Sequence, residues 1–196
     1  MKGKTRNILL GVLVVGLITM TIAYASLSQR LNINGSAAVN GASNWDVKFT
    51  EVTTGKITKT GYAAVDTTAT LVQTGATQVL TPQVTFKAPG DSVTFKFNVT
   101  NAGSINAKIS SFTTITIGDV TSSSSSDSSN LSTFKNQISA SLTYADGTAI
   151  AVNDTLNAGQ TKNLKLVLTF SSSATTLPVG TLTIPLVQST MVYSQA

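Results

Sequence analysis

The acidic residues are the side chains whose chemistry could matter most here, because the sequence contains no histidine and no cysteine. Without histidine there is no imidazole base and no Ser-His-Asp nucleophile. Without either residue type, the usual zinc ligands are missing. Glycoside hydrolysis would need two carboxylates flanking one bond, but the closest pair along the chain, Asp46 and Glu51, has no spacing typical of such a site. The sequence therefore predicts a protein that is not an enzyme, with no cofactor and no metal.

The residue types would also allow a calcium site or an isopeptide cross-link, although no sequence spacing typical of either is present. Asp119 and Asp127 flank a serine-rich stretch and could bind calcium through their oxygens. The D-x-[DN]-x-[DN]-G loop is absent, so solubility of the stretch is the preferred interpretation of both residues. Lys–Asn isopeptide cross-links assisted by Glu51 would suit a surface fibre, but only the inventory of residues supports them.

Four Asn-x-Ser/Thr triplets could accept glycans, provided that the organism glycosylates exported proteins. The chain contains 32 Thr and 23 Ser, so triplets of this kind are also expected by chance. The candidate acceptors are Asn34, Asn98, Asn130 and Asn153.

The first 25 residues have the organisation of an export signal. A basic stretch at 2–6 precedes a mostly apolar run at 8–22, and Ala23 and Ala25 then match the small-x-small rule for cleavage before Ser26. A retained membrane anchor is the alternative, but 15 apolar residues are short against the ~20 that span a bilayer. In both cases we expect the rest of the chain to be secreted, extracellular and at the cell surface, with membrane contact only through this segment.

The composition describes a nearly neutral surface rich in hydroxyl groups. Charged residues make up 11% of the chain, against roughly 25% in typical soluble domains. The net charge of +5 comes largely from the three cations in the first six residues. No basic run interleaved with aromatic residues is present, so nucleic-acid binding is not predicted. The many threonines favour strands.

Alternation of apolar and polar residues, which is typical of half-buried strands, dominates the chain after the signal. The clearest strands are predicted at 45–50, 93–99, 140–144 and 164–170, with further candidates at 27–39, 57–72, 79–86, 105–117, 149–152 and 181–193. The predicted core includes Trp45, Val47, Phe49, Phe95, Phe97, Leu142, Leu166 and Leu168. Together these strands predict an all-β, two-sheet sandwich of jelly-roll type.

Two stretches depart from the strand pattern. The low-complexity residues 121–130 predict a solvated loop. Leu131, Phe134 and Ile138 then follow at helical spacing, with Asn130 as a competent N-cap, and predict one short helix near 131–138.

The segment that follows the predicted cleavage site is the main candidate for a functional element. Its apolar residues fall on one face of an extended strand, together with Gly35: Leu27, Leu31, Ile33, Ala37 and Val39. A free N-terminus of this kind can add a strand to the sheet of another subunit. The alternatives are the first strand of its own sandwich, or a small hairpin turned at 34–35.

Three stretches of this sequence resemble the TasA/camelysin-like fibre proteins of biofilm matrices and related archaeal bundling pilins. The first is the short apolar run that ends in Ala-Tyr-Ala ahead of Ser26. The second is 88–104, with its Pro-Gly-Asp turn, alternating aromatic strand and Asn-x-Gly-Ser corner. The third is 131–138, which runs into a strand at 139–145. The resemblance implies a signal peptide at 1–25, a donor strand at 26–40 and a jelly-roll domain at 41–196.

The same resemblance implies a structural subunit of an extracellular fibre or pilus. After cleavage, the donor strand would enter the neighbouring copy, so copies of the chain would be its main partners in a head-to-tail filament. Other matrix or anchor subunits are further candidate partners. A monomeric cell-surface adhesin or carbohydrate-binding β-sandwich is the alternative function.

Overall fold

The computed structural model describes residues 29–33, 45–73, 77–187 and 189–196. Within these ranges the chain forms fifteen strands, one 3-10 helix (Ser125–Asn130) and one short α-helix, α1 (Leu131–Gln137). The strands are β1 Gln29–Ile33, β2 Val47–Glu51, β3 Ile57–Thr60, β4 Gln78–Val79, β5 Val84–Phe86, β6 Ser92–Asn101, β7 Ala107–Phe112, β8 Thr116–Ile117, β9 Thr121–Ser122, β10 Ile138–Tyr144, β11 Thr155–Leu156, β12 Thr161–Phe170, β13 Leu182–Ile184, β14 Leu186–Val187 and β15 Ser189–Gln195.

Two five-stranded sheets make up most of the fold. Sheet I has the order β11-β7-β15-β1-β4. Sheet II has the order β10-β12-β6-β2, and β3 pairs with the N-terminal half of β6 on the edge whose other half pairs with β2. Smaller sheets are formed by β5-β13-β9 and β14-β8. Among these strands only β1 and β4 pair in parallel, so the fold is all-β, sandwich-like and largely antiparallel, with one short helix.

The core follows from the alternation in β6 and β12, the longest strands. Their register places Phe95 opposite Leu166 and Phe97 opposite Leu164, and all four of these side chains are buried. The rings of Phe97 and Phe49 meet edge to face, with their centroids 5.7 Å apart. All eight core residues predicted from the sequence are buried, which confirms the assignment of faces.

Helix α1 confirms the predicted short helix and its start at Leu131, but not the predicted capping by the Asn130 side chain. Phe134 and Ile138 are buried, and Leu131 packs against the core. Asn130 occupies the N-cap position without a capping hydrogen bond from its side chain, because the 3-10 helix runs directly into α1. The side-chain cap lies earlier, where Ser124 accepts a hydrogen bond from the Ser126 amide.

The stretch 121–130, predicted to be a solvated loop, is mostly exposed, but it has regular structure and one buried side chain. The stretch contains β9 and the 3-10 helix, and Asp127 within it is 1% exposed. The Asp127 carboxylate accepts hydrogen bonds from the backbone N–H groups of Val179 and Gly180, each at 2.9 Å, and from the Ser122 hydroxyl. A Cβ at Gly180 would lie 2.6 Å from the Ser124 nitrogen, so only glycine permits this close approach. Asp127 therefore connects the 177–181 loop to the serine-rich stretch through hydrogen bonds.

The strand predicted at 149–152 is wrong. Ala149 makes a single bridge to Thr143, and the strand begins later, at Thr155. Between them the chain turns tightly, because Asp154 accepts a hydrogen bond from the Ala151 N–H and Asn153 adopts a left-handed conformation (φ 74°). The longer predicted strands at 57–72, 79–86, 105–117 and 181–193 are each interrupted in the same manner, by turns or changes of sheet.

Truncation of Phe97 should test how much this core contributes to the free energy of unfolding. Phe97→Ala removes a fully buried ring and should lower the free energy of unfolding by about 3–5 kcal/mol. Tyr62→Ala is the control, because Tyr62 is 74% exposed and its loss should change stability by less than about 0.5 kcal/mol. Denaturant unfolding measures both variants. A loss below about 1 kcal/mol for Phe97→Ala would contradict the packing.

Candidate polymerisation site around strand β1

Strand β1 lies in an inner position of sheet I although it comes from the N-terminal region. It pairs antiparallel with β15 over five residues, from Gln29 opposite Tyr193 to Ile33 opposite Ser189. On its other edge it pairs in parallel with β4, where Ile33 lies opposite Val79. Both edges of β1 are therefore engaged, and we call the place between β15 and β4 the β1 slot.

The register of β1 agrees with the face predicted from the sequence. Leu31 lies opposite Met191, and Ile33 lies opposite Ser189 and Val79. Met191, Ser189 and Val79 are all buried, and residues opposite one another on neighbouring strands share a face of the sheet. The odd positions of β1 are thus in register with the buried face of β15 and β4.

In the single chain, β1 occupies its own sheet, which is one of the alternatives that the sequence left open. Donation to another copy would need the same slot to receive the β1 of a neighbour. The slot can accept a strand from another copy only if β15 and β4, which we call its two walls, are held in place without β1. The contacts of each wall with the rest of the fold therefore decide whether such an exchange is feasible.

The first wall, β15, is fastened to β7. Their pairing runs from Met191 opposite Phe112 to Gln195 opposite Ala107. Beyond the end of the ladder, Thr113 and Thr190 exchange hydrogen bonds, with the Thr113 N–H donating to the Thr190 carbonyl at 2.9 Å and the Thr190 N–H donating to the Thr113 hydroxyl at 2.8 Å. The hydroxyl of the buried Ser189 also donates to the Thr113 carbonyl. These contacts place β15 without any contribution from β1.

The second wall, β4, is fastened by the strand-like residues 71–73. The Leu80 N–H donates to the Leu71 carbonyl at 2.8 Å, and the Gln73 N–H donates to the Gln78 carbonyl at 3.1 Å. The Glu51 carboxylate, at the end of β2, accepts hydrogen bonds from the backbone N–H groups of Leu71 and Val72. Glu51 therefore connects this wall of the slot to sheet II.

The charge state of Glu51 follows from these contacts. Burial raises the pKa of Glu51, but a hydrogen bond from Lys56, whose Nζ lies 3.0 Å from Glu51 Oε2, and those from Val72 and Leu71 outweigh it, so the net pKa is lowered. The carboxylate is thus held in its ionised form. Sequence reasoning missed this role, because no local pattern connects Glu51 with residues twenty positions further along the chain.

Most of the other predicted site residues belong to parts of the chain outside the described ranges. Ala23, Ala25 and Ser26 of the cleavage site, and Leu27, Gly35, Ala37, Val39 and the acceptor Asn34, lie outside the described residues. Of the remaining acceptors, Asn153 is exposed, whereas Asn130 and Asn98 are half-buried. Asn98 lies in the middle of β6, between β12 and β2, so the folded strand gives its side chain little freedom.

Comparison of the chain with family models, curated proteins and solved structures finds no match. The likeness to TasA-type fibre proteins therefore stays a prediction. Among the described residues, no helix is long and apolar enough to cross a membrane. Within the same ranges, no three acidic residues are grouped so that they could hold a metal ion.

Replacing the Glu51 carboxylate should loosen the β4 wall of the slot. Glu51→Gln exchanges charged for neutral hydrogen bonds, a difference of about 1 kcal/mol, or roughly fivefold in the exchange protection of the Leu71 and Val72 amides. Lowering the pH of the unchanged protein should act in the same direction. Because the folded-state pKa of Glu51 is lowered, the stabilisation is complete above its ordinary value of 4.5 and is lost as the pH falls through the lowered one.

Hydrogen exchange measured by NMR, expressed as protection factors, tests both effects. Asp66→Asn is the matched control, because Asp66 also has a lowered pKa but accepts its hydrogen bonds mainly from Thr68, with a smaller contribution from the Ala69 backbone. Protection of Leu71 and Val72 that is unchanged in Glu51→Gln would show that the carboxylate does not hold this wall.

Proposed function

We propose that this chain is a structural subunit of an extracellular fibre or pilus, of the kind found in biofilm matrices. In this proposal the subunits polymerise head to tail, each donating its N-terminal strand to the β1 slot of the next copy. The observation that carries the proposal is that a strand from the N-terminal region fills an inner position of a sheet, between two strands that are held by contacts of their own.

The reach of the chain is compatible with donation. Eleven residues, 34–44, separate β1 from Trp45, and a chain of that length spans at most about 40 Å. β1 could therefore leave its own slot and enter that of an adjacent copy while Trp45 and the rest of the core stay in place. Because donor and slot are different parts of one chain, an exchange that is not reciprocal repeats in one direction and builds a filament, whereas a reciprocal exchange would close a dimer.

Burial of the donor face supplies the energy that holds neighbours together. Five apolar side chains on the odd face of 26–39 would contribute roughly 7–15 kcal/mol gross, at ~1.5–3 kcal/mol each. An empty slot would expose the unpaired backbone edges of β15 and β4, which is unfavourable and prone to aggregation. The slot is therefore expected to hold either its own strand or that of another copy.

Export and processing belong to the same proposal. Residues 1–25 would form a signal helix that is removed before Ser26, which frees the donor strand outside the cell, and residues 41–196 would form a jelly-roll domain. The alternative, a monomeric adhesin or carbohydrate-binding module, finds some support in a cleft on the outer face of sheet II that is lined by Lys96, Asn98, Asn163 and Lys165. Oligomeric state separates the two functions.

A pair of introduced cysteines should report which copy fills each slot. Arg30 and Val192 lie opposite each other in β1 and β15, at a Cα separation of about 4.5–5.5 Å, which suits a disulfide. The sequence has no cysteine that could interfere. In filaments of the Arg30→Cys/Val192→Cys chain, oxidation should link successive subunits into a covalent ladder on a denaturing gel without reductant. N-terminal sequencing of the cross-linked subunits should show Ser26 as the first residue, as expected if the signal is removed before assembly.

The matched control places both cysteines in strands that do not exchange. Thr94 and Val167 lie opposite each other in β6 and β12, so Thr94→Cys/Val167→Cys filaments should oxidise within single chains. Filaments of the first variant that also yield only single chains would contradict strand exchange. A processed chain that stays monomeric at all concentrations would instead favour the adhesin.

A charge placed on the donor face should prevent assembly. Ile33→Asp would bury an unpaired carboxylate in the slot, which costs several kcal/mol or forces its protonation. We expect a folded sheet II but no filaments in electron micrographs. Asn32→Asp adds the same charge at the adjacent position, opposite Thr190 instead of the buried Ser189, and should still form filaments. Filaments of normal length and yield from Ile33→Asp would rule out donation by this strand.

A further inference from the structure

We infer that the outer face of sheet II carries a binding site for an acidic saccharide, independent of the proposed polymerisation. The site is a cleft of about 500 Å³ whose floor includes Lys96 and Asn98 of β6 and Asn163 and Lys165 of β12. The β2–β3 turn at 51–54 and Ala145 line its sides. We call it the lysine cleft, and its volume lies within the range usual for small-ligand sites.

The strand register makes the floor of the lysine cleft electrostatically unfavourable when it is empty. Lys96 and Lys165 lie directly opposite each other on neighbouring strands, and like charges in that arrangement destabilise a sheet. Lys48, Lys56 and Lys135 each pair with a carboxylate, but neither cleft lysine forms an ion pair within the described part of the chain. An anionic ligand would relieve this repulsion.

The acidic residues around the lysine cleft are already engaged. Glu51 accepts hydrogen bonds from Lys56 and from the 71–72 backbone. The pKa of Asp146 is lowered mainly by hydrogen bonds from Thr148, with a smaller contribution from the charge of Lys165. Lys165 itself donates to the Ala145 carbonyl at 3.1 Å. Two cations therefore face the cleft with little opposing charge.

The neutral groups in the cleft indicate that the anion also carries hydroxyls. Asn98 and Asn163 form a second pair across the strands, and both residues line the cleft. A side-chain amide can donate as well as accept hydrogen bonds. A phosphate or polyphosphate is itself mainly an acceptor, whereas a sugar hydroxyl can both donate to and accept from such an amide. A saccharide with carboxylate groups matches both the amides and the lysines.

An adjoining cleft extends the same surface. Its lining shares Ala145 and Asn163 with the lysine cleft and adds Tyr144, Lys162 and the carboxylates of Asp146 and Asp154. The Lys162 ammonium lies 4.8 Å from the centre of the Tyr144 ring. The two clefts together offer a path for an extended chain, but the two carboxylates offset the charge of Lys162, so the anionic groups are expected to bind in the lysine cleft.

Calorimetry with the purified full chain tests the inference. The probes are trigalacturonate, the neutral trisaccharide galactotriose and inorganic polyphosphate. Trigalacturonate should bind at least tenfold more tightly than galactotriose, and the affinity should fall as salt is added. Lys96→Gln/Lys165→Gln should weaken it by tenfold or more, whereas Lys96→Arg/Lys165→Arg, which keeps both charges, should bind within about threefold of the unchanged chain.

The matched control removes two lysines elsewhere. Lys87→Gln/Lys108→Gln has the same net charge as the glutamine double variant, but neither residue lines the lysine cleft, so its affinity for trigalacturonate should be unchanged. Equal losses in the two double variants would mean that only net charge matters and would overturn the site. Polyphosphate binding that is as tight as trigalacturonate binding, and equally dependent on Lys96 and Lys165, would overturn the saccharide in favour of a general polyanion site.

A measurement without ligand checks the electrostatic premise separately. Lys96→Gln should raise the melting temperature at low salt by about 1–2 °C, because it removes one of two opposed like charges, and the gain should vanish at high salt. A melting temperature that falls or is unchanged would contradict the repulsion on which the inference depends. All these measurements can be made on chains that form no filaments, so failure of the saccharide site and failure of the proposed polymerisation are distinguishable.

Discussion

The pairing of β6 with β12 is the constraint on which the rest of this structure depends. Side chains alternate between the two faces of a strand, so one register decides both faces at once. It places Phe95 opposite Leu166 in the core and, one residue further on, Lys96 opposite Lys165 on the outer face. A slip of one residue would exchange the two sets. The core and the lysine cleft are thus two consequences of one arrangement.

The sparse charges of this chain are used mainly to fasten loops. Asp91 is buried and accepts hydrogen bonds from the backbone N–H groups of Tyr62, Lys87 and Ala88. Asp127 holds the 177–181 loop in the same way, and Glu51 holds residues 71–72. Hydrogen bonds from several backbone N–H groups replace the water that these carboxylates lose on folding, and the loops gain fixed backbone partners in return. Each of these three carboxylates therefore has a structural role in the fold.

Buried backbone groups must be paired, and this requirement explains both the β1 slot and the roles of Asp91, Asp127 and Glu51. At the turns a side chain provides the partner. In sheet I the partner is a strand, and the sheet makes no distinction between a strand of its own chain and an identical one from another copy. That equivalence connects a stable single chain with the proposed filament, since the same contacts would be made in both.

The sequence by itself determined the faces of the long strands, the short helix at Leu131–Gln137 and the odd-position pattern of the N-terminal segment, because these depend on periodicity over neighbouring residues. Only the tertiary structure decided which strands pair, that Asp127 is buried, that Glu51 supports the β4 wall and that Lys96 faces Lys165. Each of these joins residues far apart in the chain, and local patterning contains no information about such partners. Period-two alternation shows which face of a strand is apolar, but the partner across the sheet is set by how all the strands fill the core together.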